Sequence, residues 1–503
     1  MNGRLNTLLH EILPNLSWRN SADMRLELIA GLTGALLVIP QAITFAYLAG
    51  MQPVHGIYCA VFVGFLSSLF GNSPMVGGPN TAVSILLGLT TIQFAGSGSP
   101  LYIEFVFALS LLVGLIQLII WLLRGATLFR FFSPAAISGI KTGIGVLLIT
   151  SALEGALGLA PLATQFFYEK FYLALVSWRE LFNPYAVTIS AVTIASGILL
   201  KRIWPRTYIV AATAIGSLVG GIICAIVGPL ATQVEALGNV AILALPFSTL
   251  TLGPPHWLFL EHTFPSAVAI AVLGLAQSLV IARDLKANVS NELDLHKEVF
   301  AQGIANVAAP FFSTFAGSGS FNRTSVAVEM GSRTPLAGMI AAAAVVVIAF
   351  ALGPLLAGLP MPAIAGVLAL VGIGMIQGEM RPIGHWVERA VFVITLFSVL
   401  FLGLEIGIFV AIAVSVVFFV ANVSKVNFSV SHDSDSERIV VSGNLFYASL
   451  DRLAKHLRNN PTANTILDLS RVPYCDAAAR EMLRKIQAER LSRGGQLEFA
   501  HPT

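Results

Sequence analysis

Arg323 sits in STFAGSGSFNRTSVAVEMGSRT, residues 313–334, a run rich in Gly, Ser and Thr with no acidic residue before Glu329. Apolar segments flank it on both sides. A guanidinium at the bilayer centre costs roughly 2.5–3.5 kcal/mol on insertion scales, and a resident anion would offset that cost. Two other readings stand beside this one. Arg323 could pair with Glu329, although six residues along a helix puts the two nearly on opposite faces, or it could reach a water-filled cavity. The short segments near 80 and 322 read as half-helices starting at mid-membrane. A helix N-terminus presents free N–H groups and about half a positive charge, so two such ends facing each other form an anion site. Arg323 would add a full charge to the second of them.

Two glutamines have matching positions. Gln41 in VIPQAITFAY and Gln277 in GLAQSLVIAR each precede a short polar segment, VGGPNTAVSILLG and SGSFNRTSVAV, by about forty residues. An intramembrane glutamine either bonds helices together or offers a neutral hydrogen bond to a substrate. The symmetric placement favours the cavity role, and Phe45, one turn after Gln41, shares its face. Lys141 in SGIKTGIG is the other cation at possible membrane depth. It reads as a lysine at a cytoplasmic helix end or in a cavity, with a substrate role as the second reading.

These residues need a membrane scaffold. The chain has 503 residues, of which 56% are hydrophobic and only 11% charged, with a mean hydropathy of +0.81. Soluble domains carry about 25% charged residues. Spans need about 20 apolar residues, and fourteen candidate segments lie between 25 and 424. The third (80–94) and tenth (319–331) are too short and polar to span alone, whereas 161–182 is amphipathic and reads as a surface or gate helix. With both termini inside, the cytoplasmic ends hold Arg124, Arg130, Lys201, Arg202, Arg206, Arg283, Lys286, Lys297, Arg333, Arg381 and Arg389, against Lys170 and Arg179 outside. That bias predicts an even number of spans and cytoplasmic termini. Seven spans per half implies repeats of opposite orientation, about 23–231 and 262–424. Short, interrupted segments at matching places in such halves point to a transporter's central site.

Several classes are excluded. The net charge of +3 is too small to suggest nucleic acid, and no GxxxxGK[ST] is present for ATP. GSGSFN lacks the third glycine and preceding strand of a dinucleotide loop. The histidines lack metal-ligand spacing, Cys59, Cys224 and Cys475 are far apart, and no Ser/His/Asp grouping suggests hydrolysis. The reading is not an enzyme and requires no cofactor or metal. Residues 1–22 read as a polar, amphipathic cytoplasmic N-terminus. From Lys425 onward the texture is that of a small cytoplasmic α/β domain, with β runs at 439–443, 465–469 and 496–500 and amphipathic helices at 449–459 and 477–492.

DMRLELIAGLTGALLVIPQAITFAYLAGMQPVHGIYCAVF, GGPNTAVS and ELDLHKEVFAQGIANVAAPFFSTFAGSGSFNRTSVAVEMGSRTPLAG resemble the signatures of the SulP anion transporters, solute carrier family 26. GNLFYASLDRL and ILDLSRVPYCDAAA are similar to the STAS domain that follows the membrane part in that family. The resemblance implies a polytopic α-helical membrane protein with 14 transmembrane segments in a 7+7 inverted repeat (23–424). A core domain moves against a gate domain in an elevator-like cycle, and a STAS domain (425–503), short or truncated, follows. It implies a multi-pass homodimer in a cell inner membrane, carrying a small anion such as fumarate or another dicarboxylate, bicarbonate or sulfate by proton-coupled symport. Sodium-coupled symport, uncoupled chloride/bicarbonate exchange and a membrane-anchored scaffold are the alternatives. Matching family positions nominate Gln41, Phe45, Asn80, Thr81, Ala82, Asn322, Arg323 and Thr324 as substrate ligands, beside Gln277. Two departures matter. Relatives carry carboxylates at the positions of Gln41 and Gln277, and an amide cannot titrate. CDAAAR also offers only alanine after Asp476, which argues against phospho-switching.

Overall fold

The computed structural model describes residues 23–131, 133–159, 167–205, 208–236, 253–288, 293–379, 386–423, 426–432, 436–446, 449–459 and 464–500. The N-terminal stretch 1–22, the start of the 161–182 segment, Arg206 and Arg381 lie outside the described residues. The chain divides into two compact units, Met1–Ile412 and Ala413–Thr503.

Each of the fourteen expected apolar segments carries a helix. The first half holds α1 (Met24–Leu48), α2 (Pro53–Phe70), α3 (Thr81–Thr91), α4 (Pro100–Leu122), α5 (Pro134–Leu157), α6 (Phe167–Leu181), α7 (Pro184–Ile203) and α8 (Tyr208–Val227). The second holds α9 (Phe264–Asn288), α10 (Leu295–Ala308), α11 (Phe321–Glu329), α12 (Leu336–Ala357), α13 (Met361–Glu379), α14 (Trp386–Phe401) and α15 (Leu404–Val423). Eight described helices, α1, α2, α4, α5, α7, α8, α9 and α13, are long and apolar enough to cross a membrane. The amphipathic 161–182 segment supplies α6.

Local chemistry sets the starts. Pro53, Pro100, Pro134 and Pro184 open helices where a missing N–H costs nothing, and Asp23, Ser99 and Asn183 accept first-turn N–H groups. Many large apolar side chains face outward, Ile226 at 78% and Phe350 at 69% exposure among them, as lipid contact requires.

The helices of the first unit form two packs. In one, α1 lies on α12, α4 and α2 lie on α10, and α9 packs on α3 and α4, with α11 against α1. In the other, α5 lies on α13 and α14, while α7 packs on α8 and α13. The α5–α13 approach depends on two facing glycines. A Cβ on Gly145 would stand 2.8 Å from the Gly372 carbonyl oxygen, and one on Gly372 would stand 2.6 Å from that of Gly145. Small residues at such crossings let apolar helices gain dispersion contact where lipid offers no hydrophobic drive.

The second unit contains a four-stranded sheet of β1 (Asn427–His432), β2 (Glu437–Ser442), β3 (Thr465–Arg471) and β4 (Leu497–Ala500), in that order. β1 runs antiparallel to β2; β2, β3 and β4 are parallel. Helices α16 (Asp451–Asn459) and α17 (Ala477–Leu491) provide the crossovers. Ile439, Val441, Leu467, Leu453, Leu457, Leu483 and Ile486 fill the core. The sequence reading missed β1, although Val426, Phe428 and Val430 alternate with polar residues there.

Candidate functional site

Two extended segments cross in the first pack, each leading into a short helix. Residues 75–80 lead into α3, and 315–320 lead into α11. They pair antiparallel: Ser318 N–H donates to Gly78 O at 3.0 Å and Ser320 N–H donates to Val76 O at 3.2 Å. The crossing is close enough that a Cβ on Gly317 would collide with the Gly78 carbonyl, and Gly78 itself adopts φ +124°. Only glycine holds that conformation without strain.

Alternate carbonyls of an extended strand point to opposite edges. Those of Val76 and Gly78 are taken by the partner segment. Those of Gly77 and Pro79 are taken by Arg323, whose Nη2 donates to them at 3.3 and 3.1 Å. Its Nη1 donates to Gln41 Oε1 at 3.3 Å. Arg323 is 1% exposed, and its Nε has no hydrogen-bond partner among the described residues. Backbone groups away from water must be paired, so the arginine completes an edge that no helix or sheet completes. Its hydrogen bonds run across the molecule, not along its own helix to Glu329.

The outer edge of the second segment is held differently. Asn306 Oδ1 accepts the Gly317 N–H at 2.8 Å, and its Nδ2 donates to Gly317 O at 3.0 Å and to Gln117 Oε1 at 2.8 Å. Ser278 Oγ accepts the Gly319 N–H, and Ser110 Oγ accepts that of Ala316. Two buried carboxylates fix the flanking loops. Glu298 accepts the N–H groups of Asn72 and Ser73, and Glu27 accepts those of Arg333, Thr334 and Ala337.

The nominated residues take distinct places around this crossing. Asn80 caps α3 by accepting the Ala82 N–H, and it donates to Gly319 O at 3.1 Å. Thr324 Oγ1 accepts the Val76 N–H at 3.0 Å. Gln41 touches Arg323 directly, while Phe45 and Thr81 are buried and Asn322 is exposed. Gln277 is buried beside Ser278, and its amide has no hydrogen-bond partner among the described residues. Ser320, the N-cap of α11, makes no side-chain cap, which leaves the first-turn N–H groups of that helix uncapped by a side chain. The half-helix starts therefore correspond as Asn80 and Ser320. Matching PNTAV to NRTSV instead aligns Asn80 with Arg323, which is the third residue of α11.

Sequence reading did not find Asn306, Gln117, Ser110, Ser278, Glu27 or Glu298, because their partners are mostly main-chain groups remote in sequence. Lys297, expected at a cytoplasmic helix end, is 2% exposed. Lys141 is half-buried, with Nζ 3.8 Å from the Phe321 ring centroid.

Chemically, the crossing gathers positive helix ends, one guanidinium and neutral amides, with no carboxylate among the nominated residues. Such a site attracts an anion and offers no group to break a bond.

Comparison with known proteins agrees. The family model described as "Sulfate permease family" matches residues 24–398. The "Putative sulfate transporter YvdB" of Bacillus subtilis is 25% identical over 95% of this chain and 91% of its own. The murine Solute Carrier 26 family member A9 anion transporter superposes with a TM-score of 0.81 at 19% identity, covering 99% of this chain and 89% of that one. The transmembrane domain of the cyanobacterium bicarbonate transporter BicA gives 0.67 at 21% identity, covering 78% and 98%. At these identities the two structures establish a shared fold.

Proposed function

The chain belongs to the sulfate permease family and is a membrane anion transporter, not an enzyme; on that premise we propose that the crossing of the two short helices holds the anion. The observation that carries this reading is the convergence of the α3 and α11 N-termini on a fully buried Arg323 that also touches Gln41. Gln41, Phe45, Asn80, Thr81, Ala82, Gln277, Asn322, Arg323 and Thr324 form its wall. Helix-end N–H groups and the uncommitted Arg323 Nε–H supply donors, and the apolar surroundings strengthen each of them.

The substrate is a small anion: sulfate, bicarbonate or a dicarboxylate such as fumarate. The two helix packs support a core (α1–α4 and α9–α12) that moves against a gate (α5–α8 and α13–α15) with the anion riding on the core. In this reading a proton or sodium gradient drives accumulation in a bacterial inner membrane, both termini are cytoplasmic, and the protein works as a homodimer of fourteen-span protomers. The C-terminal α/β unit serves as a STAS domain. A second reading, exchange without coupling, is favoured by the amides at Gln41 and Gln277, since neither can take up a proton with the anion.

The test is uptake of radiolabelled sulfate, bicarbonate and fumarate into proteoliposomes, with and without inward proton or sodium gradients. Gradient-driven accumulation of one anion supports coupled transport, and flux that only equilibrates supports exchange. A well-folded protein that moves none of them overturns both.

A further inference from the structure

Arg323 gives the crossing one full positive charge, and that charge is already shared among the Gln41 oxygen and two backbone carbonyls. A singly charged anion would be matched by what remains, namely the helix ends and the Arg323 Nε–H. A doubly charged anion would not. The structure places a second cation one aromatic ring away. Lys141, on α5 of the second pack, lays its ammonium on the face of Phe321, the first residue of α11. This contact bridges the two helix packs at the end of the half-helix whose N-cap side chain is idle.

A lysine amid the small and apolar residues Ser138-Gly139-Ile140 and Thr142-Gly143-Ile144 does not help α5 pack. A threonine or serine would fit that surface without the cost of desolvating an ammonium. The ring of Phe321 offsets part of that cost through its quadrupole. It also holds the ammonium beside the uncapped N–H groups of Phe321 and Asn322. Asn322 is exposed, so this end of α11 is open to solvent. An anion arriving there meets the helix end and the ammonium together.

We propose that Lys141 is a specificity-determining residue that reads the second charge of the substrate, favouring a doubly charged oxyanion (sulfate or a dicarboxylate) over chloride or bicarbonate. The proposal rests on the anion-transport reading above and adds to it the number of charges the site is built for. Because Lys141 belongs to the second pack and Arg323 to the first, the two charges of one anion would also hold the packs together while it is bound.

The experiment compares wild type, Lys141→Gln and Lys141→Arg in proteoliposomes, using radiolabelled sulfate, fumarate, chloride and bicarbonate at matched ionic strength. Calorimetric titration of sulfate and chloride into the detergent-solubilised full chain provides a readout independent of turnover. Lys141→Gln is expected to lower the sulfate-to-chloride affinity ratio by roughly tenfold, about 1.4 kcal/mol, with most of the preference returning in Lys141→Arg. An equal loss for all four anions would assign Lys141 to packing or to a latch between the packs, and overturn the proposal. So would an unchanged ratio in Lys141→Gln when wild type transports normally. If wild type takes up none of the four anions, the transport reading itself fails and this proposal falls with it.

Discussion

Arg323 Nη2 donates to the Pro79 carbonyl oxygen at 3.1 Å, joining the third residue of one half-helix to the residue before the cap of the other. The sequence alone suggests that Arg323→Ala removes anion binding and leaves the fold intact. The structure changes that expectation. Alanine would strand the Gly77 and Pro79 carbonyls, at roughly 1–3 kcal/mol for each buried group left unpaired. Arg323→Ala should therefore lower thermal stability in detergent as well as abolish uptake. Arg323→Lys should recover part of the stability but not the uptake, since one ammonium lacks the fork that serves two carbonyls and Gln41 together. Full stability in Arg323→Ala would contradict the pairing described here.

Gln41 supplies a sharper test, because geometry reverses the effect that sequence suggests. A carboxylate at this position is expected from sequence to make uptake steeper with external acidity. Gln41 Oε1, however, accepts a hydrogen bond from Arg323 at 3.3 Å. A glutamate there would pair with the guanidinium and become the site's resident anion. Gln41→Glu should raise the half-saturating anion concentration at least tenfold at neutral pH. Proton-driven uptake at unchanged affinity would sink this account.

How much of this was legible in the sequence differs by interaction. Helix positions followed from apolar runs, because lipid demands long continuous segments. The short α3 and α11 were legible too, since Gly, Pro and Asn interrupt the runs at 71–80 and 313–322. The register between the repeats was not: PNTAV and NRTSV match by residue type, whereas the caps align Asn80 with Ser320. Nor was the wall of Asn306, Gln117, Ser110 and Ser278, because each lies on a different helix and no local spacing connects them. Lys297 misled for a related reason, as a positive-inside count takes a lysine near a helix end to be solvated. In the C-terminal unit, alternation located β2, β3 and β4, while β1 was hidden among serines.

Asn306 is expected to be nearly as sensitive as Arg323, although nothing in the reading of substrate contacts nominated it. Its amide satisfies both the N–H and the C=O of Gly317, at the point where the two segments cross. Asn306→Ala leaves both groups and Gln117 short of a partner in a site too crowded to rearrange cheaply. We expect a loss of about 2–4 kcal/mol from the unpaired buried groups, read as a fall in detergent melting temperature, with uptake reduced at every anion concentration. Asn306→Asp restores the acceptor for the Gly317 N–H but sets a carboxylate oxygen against the Gly317 carbonyl, so it should rescue little. A variant with wild-type stability and uptake would remove Asn306 from the positioning network.

The C-terminal unit carries its own pH dependence. The Arg438 guanidinium, 2.7 Å from Asp468 Oδ2, and the hydroxyl and N–H of Ser470 hold the Asp468 carboxyl well below the usual carboxylate range. A carboxyl depressed in the folded state stabilises that state above its unfolded value, about 3.9, and the contribution disappears as pH falls below that value. The peptides of β2 and β3, which Arg438 and Asp468 join, should therefore lose hydrogen-exchange protection between about pH 4 and pH 2, after correction for intrinsic rates. Arg438 is half exposed, so salt should weaken the effect. Asp468→Asn cannot titrate; it should be less protected at pH 6 and show a flatter decline below pH 4. An identical decline in the variant would assign the acid sensitivity to another group.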